Sequence, residues 1–228
     1  MNESIALIQA IHAGLAALGD TNKAPDMQRY MKSEMPFRGV PSPERTALAR
    51  RLFAEHVLTD EESWRATVLS LWRDASYREE RYLAIALTGD RRYATWQTPA
   101  LLPLYEELIV TGAWWDYVDE IASRRIGPLL RRFPDELTPT MYAWTTDPDL
   151  WKRRTSIICQ LTFKEETETK LLTAAIEANL DDRDFFIRKG IGWALRQFAR
   201  TEPAWVRTFV DSHPGLSPLS VREAVKHL

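Results

Sequence analysis

The residues of this sequence with the clearest chemical potential are Trp115 and Asp119, in the segment TGAWWDYVDEIAS at residues 111–123. Helical spacing makes these two side chains neighbours, one turn apart. The helix then has a core stripe of Trp114, Val118, Ile121 and Arg125, and a second stripe of Trp115, Asp119 and Ala122 rotated by about 100°. An aromatic face beside a carboxylate favours positive charge, so Trp115 and Asp119 are candidates for a functional site. The simpler alternative is that Trp115 packs on another helix while Asp119 caps a helix or pairs with an arginine.

A second unusual helix is predicted in DFFIRKGIGWALRQFAR, at residues 184–200. Its core stripe is Ile187, Ile191, Leu195 and Phe198, at helical spacing. Trp193 lies off that stripe, in line with Lys189, Arg196 and Arg200. Cations beside a flat ring on one face suit a nucleic-acid backbone, with lysine and arginine on phosphates and the ring on a sugar or base. A charged stripe alone is most often solvated surface, but a tryptophan within it favours the binding hypothesis.

A third departure from simple patterning is Arg154, which lies among Leu150, Ile157, Ile158 and Leu161 on the apolar side of its helix. An arginine in such a position needs a carboxylate or phosphate partner, because an unpaired buried charge is costly. Asp119 is a candidate partner if corresponding helices of neighbouring repeats stack. An Asp-Arg ladder between repeats, with no further function, is an equally good interpretation.

The elements that must position these residues are predicted to be helices throughout. Segments DPDLWKRRTSII, DRDFFIRKGIGW and SPLSVREAV each place an arginine four residues after a helix-start residue: Asp149 and Arg153, Asp184 and Arg188, Pro218 and Arg222. A repeat of about 35 residues is typical of stacked helical pairs. We therefore predict an all-α fold, an α-solenoid of HEAT-like helical repeats, as a single domain over residues 1–228, and the concave face of such a stack is its usual binding surface. The alternative is an irregular helical bundle with accidental similarity.

The composition of the chain argues against a disulfide-stabilised protein, a membrane protein and a metal or cofactor enzyme. The single cysteine, Cys159, excludes a disulfide framework and indicates a reducing cytoplasm. The first twenty residues predict an amphipathic helix rather than a signal peptide, and no membrane segment is expected. The four histidines, His12, His56, His213 and His227, show no metal-ligand spacing, and no phosphate-binding loop is present, so we expect neither metal nor cofactor. The net charge of −2 means that any DNA binding must come from a local patch.

Four segments together resemble the AlkD family of DNA alkylation repair proteins, HEAT-like-repeat glycosylases that release N3- and N7-alkylated purines. The segments are ELIVTGAWWDYVD, LWKRRTSIICQL, FFIRKGIGWALRQFAR and PLSVREAVKHL, and the similarity is clear from about Met27 onward. The resemblance implies catalytic roles for Asp119, Trp115 and Trp193, and DNA-binding roles for Tyr30 and Arg154. We expect Arg153, Arg188, Lys189 and Arg196 to contact DNA as well.

The resemblance thus implies a glycosylase of base excision repair that acts on duplex DNA containing 7-methylguanine or 3-methyladenine, with the concave face of the solenoid as its DNA-binding face. It also implies that the damaged base stays stacked during the reaction, unlike in glycosylases that flip the base out. We expect a monofunctional enzyme without strand cleavage, because no obvious lysine nucleophile stands beside Asp119. We also expect a monomer, because a concave surface that wraps DNA needs no partner chain. Two other functions remain open from the sequence. One is a non-catalytic protein that binds unusual DNA structures, and the other is a protein-interaction solenoid in which Trp115 and Trp193 bind a partner.

Overall fold

A computed structural model describes residues 3–226 and residue 228, so His227 lies outside the described residues. This described part of the chain is helical, with no strand, which confirms the predicted all-α fold and is consistent with an α-solenoid. The α-helices are α1 (Glu3–Leu18), α2 (Ala24–Met31), α3 (Ser42–Glu55), α4 (Glu61–Arg73), α5 (Arg78–Thr88), α6 (Leu102–Gly112), α7 (Trp115–Ile121), α8 (Gly127–Arg132), α9 (Pro134–Trp144), α10 (Leu150–Ile158), α11 (Thr169–Glu177), α12 (Phe185–Phe198), α13 (Pro203–Ser212) and α14 (Pro218–Ala224). None of these helices is long and apolar enough to cross a membrane.

The chain divides into two compact units, Met1–Trp96 and Gln97–Leu228. The expectation of a single domain over the whole chain therefore stays a prediction. The first unit contains α1 to α5, and the second contains α6 to α14.

Apolar spacing explains the helices of the first unit. Leu7, Ile11 and Leu15 are fully buried at four-residue intervals, so α1 is the amphipathic helix that the sequence predicts. The spacing of Trp64, Val68, Leu71 and Trp72 predicts a helix with these four residues on its core side, and α4 buries all of them. The helix begins at Glu61, because the side chain of Asp60 accepts a hydrogen bond from the Ser63 backbone N–H.

The loop that follows α2 is held by the buried side chain of Glu79 in α5. Its Oε2 accepts the backbone N–H of Arg38 at 3.0 Å, and its Oε1 accepts those of Gly39 at 2.9 Å and Val40 at 3.1 Å. Gly39 has φ of +83°, and a Cβ there would collide with the backbone oxygen of Asp20. A charged acceptor thus satisfies three backbone donors of a loop that only glycine can close.

Replacing Glu79 with glutamine is expected to lower the free energy of unfolding by about 2–3 kcal/mol, since the amide NH₂ would face a backbone N–H donor. Urea denaturation followed by circular dichroism measures this loss. Glu55→Gln is the matched control, because Glu55 is exposed and only pairs with Arg51 one turn away. Equal stability of the two variants would contradict the role given to Glu79.

In the second unit, three helices begin with the same capping chemistry. The side chain of Asp149 accepts backbone N–H groups at the start of α10, as Asp184 does for α12 and Ser217 does for α14. Helix α12 packs against both α10 and α14. The three segments that share the sequence pattern thus each begin a helix with a side-chain cap, although Ser217, rather than Pro218, stands at the cap of the third, and Glu168 caps α11 in the same way. The HEAT-like repeat itself stays a prediction.

The dipeptides Ser42-Pro43 and Thr98-Pro99 each predict a helix cap followed by proline in the first turn, and the structure differs at both. Ser42 is the first residue of α3 rather than its cap, which is Pro41. After Thr98 the chain forms a short 3₁₀ helix, Pro99–Leu101, before α6 begins at Leu102. Both differences are shifts of helix boundaries, where local spacing is least informative.

Candidate functional site

Helix α7 carries both Trp115 and Asp119, and it begins one residue later than the core stripe implies. Ala113 ends α6 in a left-handed conformation with φ of +43°. Trp114 is extended, with φ of −152°, and so precedes α7. The prediction that Trp114 belongs to the core stripe of this helix is wrong, and the side chain is only half-buried. Val118 and Ile121 are fully buried, as predicted.

Trp114 instead joins an aromatic cluster with Trp151 of α10 and Phe186 of α12. Ring centroids are 6.3 Å apart for Trp114 and Trp151, 5.4 Å for Trp114 and Phe186, and 5.2 Å for Trp151 and Phe186. The sequence analysis missed this cluster, although a signal was available. Trp151 and Phe186 occupy the same position in the repeat, two residues after the capping Asp149 and Asp184, so stacked repeats bring them together.

Asp119 and Arg154 form a bidentate ion pair between α7 and α10. The Arg154 Nε donates to Asp119 Oδ1 and its Nη2 donates to Oδ2, both at 2.8 Å. The Arg154 side chain is 3% exposed, whereas that of Asp119 is 15% exposed. The carboxylate partner predicted for Arg154 is thus Asp119, and the carboxylate is the member of the pair with solvent access.

The guanidinium of Arg154 also connects the pair to α12. Its Nη1 donates to the backbone oxygen of Phe186. A Cβ added to Gly190, one turn further along α12, would lie 3.0 Å from the same Nη1. The guanidinium is therefore enclosed by protein, and the direct phosphate contact expected of Arg154 does not fit a side chain that is 3% exposed.

Two opposing effects act on the acidity of Asp119. Burial raises the pKa of its carboxyl above the usual value, and the hydrogen bonds and charge of Arg154 act in the opposite direction. The negative charge of Asp116 on the same helix adds a smaller upward effect on this pKa. Arg154 is thus the group that favours the ionised form of a carboxylate in a desolvated position.

The two candidate tryptophans are both half-buried. Trp115 opens α7, one turn before Asp119, and Trp193 packs partly against the core of the second unit. Ala122, placed with Trp115 and Asp119 on a stripe away from the core, is fully buried, so that part of the prediction is wrong. Ala122 keeps the register of α7, since its backbone N–H bonds to the backbone oxygen of Val118, and it is buried because it packs in the hydrophobic core that α10 and α12 also form.

The basic stripe of α12 is engaged with other side chains rather than free. Lys189 and Arg196 both pair with Glu223 of α14, at 2.8 Å and 2.5 Å, and Arg200 donates to Gln197. The core stripe of α12, by contrast, is buried as predicted. Nothing in the pattern of α12 identifies Glu223, which comes from a helix some thirty residues away in the chain.

The repeated arginines Arg153 and Arg188 hold the starts of the repeats. Arg153 donates to the backbone oxygen of Asp147 at 2.8 Å, and Arg188 donates to that of Asp182 at 2.9 Å. Arg153 also pairs with the Asp182 carboxylate at 2.9 Å, which joins one repeat to the next. These contacts explain the spacing of the arginines without DNA, so their expected DNA contacts stay a prediction.

Tyr30 is the one site candidate in the first unit. It lies on α2, and 77% of its surface is exposed. The ring is thus accessible to a ligand, and the DNA contact expected of Tyr30 stays a prediction.

Comparisons with known proteins place these residues in a known context. Residues 11–228 match the family described as DNA alkylation repair enzyme. A similar solved structure is a predicted DNA alkylation repair enzyme from Enterococcus faecalis, with a TM-score of 0.81 and 33% sequence identity. The similarity covers 92% of this chain and 96% of that one. No curated protein matches the chain.

Proposed function

Because the chain belongs to the DNA alkylation repair enzyme family, we propose that it is a DNA glycosylase that releases N3- and N7-alkylated purines from duplex DNA. The single observation that carries this proposal is the Asp119 carboxylate. It is oriented by two hydrogen bonds from a buried arginine, yet its own side chain keeps solvent access. A carboxylate fixed in this way can face a positive charge that develops on a bound substrate.

The chemistry requires one carboxylate because of the charge of the substrate. An N3- or N7-alkylated purine nucleotide is cationic, so its base leaves with the electrons of the N-glycosidic bond as a neutral molecule and needs no proton. Ordinary glycoside hydrolysis, by comparison, generally uses two carboxyl groups. Unmodified purines are spared because they are neutral and therefore poor leaving groups.

Asp119 acts on the charge that the departing base leaves behind. As the bond between C1′ and the base lengthens, positive charge develops on the deoxyribose, and a fixed carboxylate stabilises it. Asp119 also positions the attacking water. The water oxygen bonds to C1′, its proton passes to solvent, and the products are a free alkylpurine and an abasic site.

Trp115 and Trp193 contribute through their ring faces. Each ring face stabilises a nearby cation by roughly 0.5–2 kcal/mol. Rings that lie against the sugar and backbone would therefore help Asp119 to stabilise the positive charge on the deoxyribose. Arg154 has the role that its pairing with Asp119 suggests: it orients the carboxylate and favours its ionised form. The phosphate contact that the resemblance also implied for Arg154 is made by other residues.

The test is a duplex oligonucleotide that contains one N7-methylguanine. Incubation with the protein followed by alkali should cleave the strand at the lesion, and omission of alkali should leave it intact. The strand stays intact without alkali because no lysine stands within one helical turn of Asp119 to attack the sugar. Cleavage no greater than spontaneous depurination would overturn the proposal, and tight DNA binding without base release would favour the non-catalytic DNA-binding alternative.

A further inference from the structure

Glu223 of α14 occupies the space between the two cations that flank Trp193. Its Oε1 lies 2.8 Å from the Lys189 ammonium, and its Oε2 accepts a hydrogen bond from Arg196 Nη1 at 2.5 Å. The carboxylate side chain is 12% exposed, while Lys189 is 39% exposed. One anion thus binds two cations at the point where the proposed function requires those cations to meet DNA.

The position of Glu223 is set by an unusually close approach of two helices. A Cβ on Gly192 would stand 2.5 Å from the Cβ of Glu223 and 2.9 Å from the backbone oxygen of Ser220, so only glycine permits this packing. Ser220 Oγ also donates to the backbone oxygen of Arg188 at 2.9 Å. Helix α14 is therefore held against α12, with Glu223 beside the basic stripe.

The three side chains on α12 face the same way. Lys189, Trp193 and Arg196 follow one another at spacings of four and three residues, which places them on one stripe of the helix. A carboxylate and a phosphate offer the same kind of anionic oxygen to lysine and arginine donors. A DNA phosphate that binds here meets donors already engaged by Glu223.

The charge of Glu223 persists at neutral pH. The hydrogen bond from Lys189 holds the pKa of Glu223 below its usual range, against an opposing effect of burial. The charges of Lys189, Arg196 and Lys226 lower it further. Glu223 therefore neutralises the stripe under the conditions in which the protein meets DNA.

We propose that Glu223 is an internal competitor for the DNA backbone, a carboxylate that takes the place of a phosphate between Lys189 and Arg196 and so weakens binding to undamaged duplex. The inference rests on the proposed function, because it assumes that α12 meets DNA. It assigns to Glu223 a role in setting the affinity for DNA. Non-specific affinity comes from phosphate contacts, so an anion held among the cations of this stripe lowers it.

The experiment compares Glu223→Gln with Glu166→Gln on an undamaged duplex. Glu166 pairs with Arg131, outside this stripe, so both variants lose one negative charge and have the same net charge. We expect Glu223→Gln to bind about fivefold or more tightly at moderate salt. Its plot of log affinity against log salt should steepen by about 1–2, the change that one or two extra phosphate contacts produce. Glu166→Gln should match the wild type.

Further variants keep the proposal testable if Glu223→Gln folds poorly. Glu223→Asp retains the charge and should keep the salt dependence of the wild type. Lys189→Gln should weaken binding more in the Glu223→Gln background than in the wild type, because Lys189 is then free of its carboxylate. Unchanged or weaker binding by folded Glu223→Gln would overturn the competitor role. Failure of wild-type protein to bind duplex at all would instead overturn the proposed function.

Discussion

Asp119→Asn should lower the rate of base release from N7-methylguanine duplex by at least about 100-fold, the scale of effect seen when a fixed electrostatic group is removed from a transition state. The amide has nearly the same shape as the carboxylate but no charge to stabilise the deoxyribose cation. Single-turnover measurement of free base, with enzyme in excess over DNA, isolates the chemical step. Binding of the same duplex should stay close to that of the wild type.

The matched control for this change is Asp116→Asn, three residues earlier on α7. It removes an equal charge close to Asp119 but from a side chain outside the pair with Arg154. This variant should keep its activity. If Asp119→Asn releases base at the wild-type rate, or if both variants lose activity equally, the role given to Asp119 is wrong.

The second large effect is expected from Arg154→Met, which leaves the Asp119 carboxylate desolvated and unpaired. Removing one partner of a buried ion pair typically costs about 3–5 kcal/mol of stability. We expect a loss of that size in urea denaturation at neutral pH. Activity should fall as well, because the carboxylate loses the two hydrogen bonds that orient it.

The pH dependence of Arg154→Met follows from the direction of the Asp119 pKa. Burial raises this pKa and Arg154 lowers it, so loss of Arg154 moves it further up. Activity that needs the ionised carboxylate should then decline on the acid side at a higher pH than in the wild type. The stability of Arg154→Met should change with pH in the opposite direction to its activity. The folded variant holds the proton more tightly than the unfolded chain does, so stability from this group is present at low pH and is lost as the pH rises through the folded pKa.

The double variant Asp119→Asn/Arg154→Met is the control for that pH dependence, since it has no carboxyl group to titrate. The stability difference between it and Arg154→Met should be larger at pH 8 than at pH 5. A difference independent of pH would show that Arg154 stabilises the fold by packing alone. An unshifted acid limb of the activity profile would contradict its effect on the Asp119 carboxylate.

The sequence predicted the structure best for features that depend on a single helix, namely its buried face and its cap. The core stripe of α12 is buried as predicted, and Asp60, Asp149, Asp184 and Ser217 cap their helices. The sequence was less informative at Trp114 and Ala122, on either side of Asp119. A left-handed residue, Ala113, ends α6 and leaves Trp114 outside α7, and Ala122 is buried by helices distant in the chain, so helical spacing alone predicts neither outcome.

The sequence by itself determined the all-helical class and the core stripe of α12. Only the tertiary structure decided that Arg154 is buried behind Asp119 and that Glu223 joins Lys189 to Arg196. The physical reason is the separation along the chain of the residues that interact. Backbone geometry fixes which side chains of one helix share a face, but the partner across from that face depends on how helices distant in the chain pack together.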